Sequence, residues 1–105
     1  MKENVVKEKS YKFALRIVKA FKFLTQEQRE FVLSKQVLRC GTSIGALVSE
    51  AEHAQSQADF INKMYIALKE ANETDYWLRL LRDSEYIDKK HLPRYMQIAM
   101  NLFVC

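Results

Sequence analysis

Two kinds of chemistry are suggested by residue spacing in this 105-residue chain. The first is carboxylate chemistry. Glu50 and His53 make a Glu-x-x-His pair, and Glu70 and Glu73 follow on what reads as the next helix; helical bundles that hold two metal ions use this combination of ligands. Such sites need the pair from two helices, and here it occurs once. The other histidine, His91, has no Glu three residues before it, so neither a metal nor another cofactor is expected. Nucleophilic catalysis fares no better. Ser43 has no histidine at a readable spacing, and Cys40 falls on an apolar helix face, where a thiol is usually inert. The chain reads as a non-enzyme. Glu70 and Glu73 alternate at one-turn intervals with Ile66, Trp77 and Leu80. Buried carboxylates require partners, so Ser43, Glu50, Glu70 and Glu73 are read as members of a structural polar network.

The second is phosphate chemistry. Lys9, Lys12, Arg16 and Lys19 recur at spacings of three, four and three, which on a helix confines them to a stripe about 80° wide. Cations in such a line can follow a nucleic-acid backbone, because each phosphate they neutralise releases counterions and adds sequence-independent affinity. Arg29, Lys35 and Arg39 are possible extensions. A charged stripe is also the ordinary solvated side of an amphipathic helix. The charge is nevertheless uneven: residues 1–24 hold seven Lys or Arg against two Glu, a net +5, and with the formal total at +4 the rest of the chain comes to −1.

The elements that position these residues are helices. Only two glycines and one proline occur and no alternating β-branched run is present, which predicts an all-α, antiparallel up-down four-helix bundle in a single domain, 1–105. The helices are expected at about 5–24, 26–54, 57–83 and 89–104. The first turns Val6, Phe13, Ile17, Phe21 and Leu24 inward. Thr25 with Gln28 resembles a capping box that starts the second helix after a tight turn. That helix carries Val37, Cys40, Gly41, Ile44, Leu47, Val48 and Ala51 on one arc. Gly41 and Gly45 lie one turn apart and each weakens an isolated helix by roughly 1 kcal/mol relative to Ala, so another backbone is expected close by and Gly45→Leu should be disruptive. Ser56 with Asp59 caps the third helix, whose seam is Phe60, Met64, Ala67, Ala71, Thr74, Leu78 and Leu81. The fourth starts near Asp88, with Pro93 in its first turn and Leu92, Tyr95, Met96, Ala99, Leu102 and Phe103 inward. It is too short to cover the second and third helices, which predicts a homo-oligomer. Two cysteines, Cys40 and Cys105, make a poor disulfide framework. With no signal-peptide or membrane-span pattern, a cytoplasmic location without membrane contact is expected.

The segments SKQVLRCGTSIGALVSEA (Ser34 to Ala51) and DFINKMYIALKEANETDYWLRLL (Asp59 to Leu81) resemble the bacterial four-helix-bundle proteins encoded in intervening sequences of 23S rRNA genes. That family is similar to the accessory variability determinant of diversity-generating retroelements. The resemblance covers nearly the whole chain, and Ser43, Ile44, Glu50, Phe60, Ala67, Glu70, Glu73 and Trp77 carry its most specific part. It implies an antiparallel four-helix bundle assembled as a ring-like homopentamer. The basic surface would engage RNA or, in the retroelement relatives, RNA together with a reverse transcriptase. Members commonly carry Asn where this chain has Leu47. Two functional readings follow: an RNA-binding oligomeric scaffold, or a protein-interaction module with no nucleic-acid contact.

Overall fold

The structure is a computed structural model that describes residues 2–88. Within that range the chain is all helical: α1 (Lys2–Gln26), α2 (Leu33–Glu52) and α3 (Gln57–Asp83). Helix α2 lies between the other two and packs on both, whereas α1 and α3 do not pack on each other. The expected fourth helix, 89–104, lies outside the described residues, as do His91 and Cys105.

The inward faces follow the 3.6-residue period. Phe13, Ile17 and Leu24 of α1, Val37, Cys40 and Ile44 of α2, and Leu78 and Leu81 of α3 are buried to 1% exposure or less. Leu47, Phe60 and Met64 are half-buried. Two small residues on the inner side of α1, Ser10 and Ala20, are buried with them.

The close approach expected at the glycines is the α1–α2 contact. A Cβ on Gly41 would stand 2.7 Å from Ile17 Cγ1, and one on Gly45 would stand 3.3 Å from the Ser10 carbonyl oxygen. As α2 runs forward from Gly41 to Gly45, its partner on α1 runs back from Ile17 to Ser10, so the two helices are antiparallel. Lys7 continues the trend by pairing with Glu52 at 2.9 Å.

The start of α2 corrects the sequence reading. Helix α1 runs through Thr25, whose hydroxyl donates to the Phe21 carbonyl at 2.8 Å instead of capping a new helix. Six residues, 27–32, then separate the helices. The chain reverses through Arg29, which takes the left-handed φ of 57°. Glu30 then does the capping: its carboxylate accepts from the amides of Val32 (3.2 Å), Leu33 (2.8 Å) and Ser34 (2.7 Å). The Ser34 hydroxyl donates back to the Glu30 carbonyl at 2.8 Å. A hydroxyl in the last turn of a helix can satisfy the carbonyl four residues back as readily as it can cap the next one, and here it does.

Helix α3 has the expected bounds. Ser56 Oγ accepts from the Asp59 amide at 3.1 Å, and the Asp59 carboxylate accepts in return from the Gln55 amide at 3.3 Å. At the other end the chain turns back through Glu85, φ 68°, with the Tyr86 amide donating to the Leu81 carbonyl at 2.8 Å. This left-handed exit tucks Ile87 into the core and lays Tyr86 against it.

Candidate nucleic-acid interface

Helix α1 carries the cationic stripe because about one helical turn separates each cation from the next. Lys9, Lys12 and Lys19 are exposed and Arg16 is half-buried. None of the four has a carboxylate partner among the described residues. The stripe is not directly opposite the core. With the buried face centred on Phe13, Ile17 and Leu24, the opposite side is an apolar ridge of Tyr11, Leu15 and Val18, which are 65%, 50% and 36% exposed. The cations occupy one flank of that ridge. The other flank, with Lys7, Tyr11 and Ala14, borders an open groove of about 530 Å³ whose α2 wall is Thr42, Gly45, Ala46 and Ser49.

The three possible extensions lie outside α1. Arg29 sits in the α1–α2 connection with its guanidinium 5.9 Å above the Phe31 ring. Lys35 is exposed in the first turn of α2. Arg39 reaches across to α3, where it pairs with Glu73 and, at 3.5 Å, with Glu70. Both neighbouring carboxylates hold the guanidinium in its charged form, against the opposing effect of burial. Its charge is therefore engaged by the protein's own carboxylates.

Around Arg39 the carboxylates form a connected set. Glu73 also accepts from the Trp77 indole N–H at 3.1 Å, and Ser43 donates to the Arg39 carbonyl at 2.6 Å. Glu50 is exposed; its carbonyl accepts from the His53 amide at 3.0 Å, and its carboxylate joins no hydrogen bond among the described residues. Arg39 is half exposed, 51% by side chain, and exposed ion pairs contribute at most about 1 kcal/mol. Arg39→Ala is therefore expected to change stability by less than about 1 kcal/mol in urea unfolding, while altering Trp77 fluorescence through the freed Glu73.

The remaining reactive groups stay apart. Cys40 is fully buried and donates to the Gln36 carbonyl at 2.9 Å; burial pushes its thiol up, away from the reactive thiolate. His53 stands at the C-terminal cap of α2. Among the described residues no three His, Cys, Asp or Glu side chains gather as metal ligands.

The C-terminal ends of α1 and α3 share a further opening. A cavity of about 510 Å³ has Phe23, Tyr86 and Ile87 as its apolar walls and Gln28, Arg82, Glu85 and Asp88 as its polar ones. Phe23, 43% exposed, was not among the residues singled out in the sequence. The signal was there: Phe23 follows Lys19 by four and so continues the three-four-three spacing of the cations.

The described residues define an all-α domain of three helices. More particularly, the chain belongs to the 23S rRNA-intervening sequence protein family, whose description matches residues 2–102. It is similar to a crystal structure of a protein of unknown function from the S23 ribosomal protein family of Bacteroides thetaiotaomicron. The two are 60% identical with a TM-score of 0.95, over 97% of this chain and 91% of that one. No curated protein matches the sequence. No helix among the described residues is long and apolar enough to cross a membrane.

Proposed function

We propose that the protein is a non-catalytic, homo-oligomeric scaffold that holds RNA through the cationic flank of α1. In this reading residues 89–104 supply a fourth helix that completes an antiparallel bundle, and five subunits form the ring that the family resemblance implies. The observation that carries the RNA contact is the stripe itself. Lys9, Lys12, Arg16 and Lys19 have no carboxylate partners among the described residues, while Arg39, Lys7, Lys63 and Arg79 are all in ion pairs. Recognition would rest on backbone charge and RNA shape rather than on base reading along a groove.

The test is a fluorescence-anisotropy titration of a structured RNA across roughly 50 to 200 mM salt. Four phosphate contacts predict a log–log salt slope of about −3 and a weakening on the order of 50-fold over that range. Changing Lys12, Arg16 and Lys19 to Gln should reduce the slope to about −1, leaving only the Lys9 contact. Equal affinity and slope for the variant would sink the proposal.

The exposed ridge of Tyr11, Leu15 and Val18 favours a second reading, a protein-interaction module. Unpartnered apolar ridges on soluble proteins mark contacts between chains. The same ridge also serves the oligomer. A protein partner that stays bound after nuclease treatment, with no RNA affinity at low salt, would select the second reading over the first.

A further inference from the structure

The cationic stripe leads into the cavity at the joint end of α1 and α3. Lys9, Lys12, Arg16, Lys19 and Phe23 alternate at spacings of three and four, so they lie on one line spanning roughly 21 Å of helix. Four cations are followed by an exposed aromatic ring. That ring forms one wall of the cavity of about 510 Å³, and Tyr86 lines the same opening. The chemistry changes along the line. The stripe offers positive charge, whereas the cavity lies where α1 and α3 both end, and helix C-termini present carbonyls with partial negative charge. The Glu85 and Asp88 carboxylates add to this, and the Arg82 guanidinium is held by Asp83 at 2.7 Å. A phosphate is disfavoured in such a place. A nucleobase is not: its face stacks on Phe23, and its ring N–H and amino groups can donate to Glu85 and to the Gln28 amide oxygen.

We infer that this cavity takes an unpaired nucleobase of an RNA strand whose phosphates run along Lys19, Arg16, Lys12 and Lys9. The inference rests on the reading of α1 as the RNA-binding face and adds the class of RNA: single-stranded, because a base held in a duplex stack cannot turn its face to Phe23.

The experiment compares a short unstructured RNA strand of about twelve nucleotides, fluorescein-labelled, with the same strand annealed to its complement. Wild-type protein is set against Phe23→Leu, which keeps an apolar side chain of similar size but removes the stacking ring. The exposed position lets the variant fold, and far-UV circular dichroism checks that it does. Stacking on one aromatic predicts a roughly tenfold loss of strand affinity in Phe23→Leu, an unchanged salt slope, and no loss for the duplex. A strand carrying 2-aminopurine should be quenched by the wild type and less so by the variant. If the duplex binds as well as the strand, or if Phe23→Leu binds the strand as the wild type does, the base site is wrong while the cationic face stands. If neither RNA binds at low salt, the cationic face falls and the base site with it.

Discussion

Gly41→Leu is expected to be severely damaging, lowering stability by about 3 kcal/mol. A Cβ at residue 41 would stand 2.7, 2.9 and 3.0 Å from three carbons of Ile17. Ile17 cannot give way, because it is fully buried and β-branched, so its side chain has no free end to swing aside. Better helix propensity returns roughly 1 kcal/mol and does not cover the clash. Gly45 differs. Its Cβ would meet the Ser10 carbonyl oxygen at 3.3 Å and the Ser10 Oγ at 3.6 Å, and the residue is half-exposed beside the α1–α2 groove. Gly45→Ala should therefore lie within about 1 kcal/mol of wild type, the propensity gain offsetting the tight contact. Gly45→Leu should cost less than Gly41→Leu, since its longer side chain has the groove to enter. Urea unfolding followed by circular dichroism ranks the three. A double-mutant cycle with Ile17→Ala identifies the cause: removing the Ile17 carbons should make Gly41→Leu less harmful, with a coupling of roughly 1–3 kcal/mol. Strict additivity would mean that the two side chains never meet.

How much of this was readable beforehand depended on whether a residue's role was local. Helix α3 was legible to the residue, because Ser56 and Asp59 are a cap in the sequence and a cap in space. The core arcs were legible because burial follows the helical period. Glu30 was not. Glutamate is a poor predictor of a helix start, and its carboxylate caps only because Arg29 reverses the chain and brings three amides around it. That Glu70 and Glu73 need partners was legible, but which cation supplies the charge was not, since Arg39 lies more than thirty residues away and no period in the chain relates them. On α1 the difficulty was geometric. Charge spacing alone puts the cations on one stripe without saying where that stripe stands relative to the core, and the buried positions Ser10, Phe13, Ile17, Ala20 and Leu24 together fix the inner face. With that face fixed, the cations fall on a flank and Tyr11, Leu15 and Val18 become the outermost side. Which cations are free to meet a phosphate is likewise a tertiary fact: Arg39 and the α1 lysines look alike until Glu73 is seen beside one of them.

Glu30→Ala should cost about 2 kcal/mol, because three amides of the α2 start would lose a charged acceptor in a place where little water can replace it. The residue is only 8% exposed. Burial alone would push its carboxyl up, but the amides of Leu33, Ser34 and Val32 outweigh that and hold it below the ordinary glutamate value of 4.5. The sign of the pH effect follows. A carboxyl lowered on folding contributes stability that is fully present above its unfolded value and is lost as pH falls through the folded one. Wild type should therefore lose stability as the solution is acidified below about pH 4.5. Asp59 works in the same direction, its carboxyl held low by Lys63 and the Gln55 amide, so acid sensitivity by itself does not report on Glu30. The difference from Glu30→Gln does. Glutamine keeps the shape and one acceptor oxygen but has no charge to lose, so its deficit relative to wild type should be greatest near neutral pH and should shrink as the wild-type carboxylate is protonated. The measurement is urea unfolding of both proteins from neutral to acidic pH. A deficit that stays constant across that range would mean that the ionised carboxylate is not what holds the first turn of α2 in place.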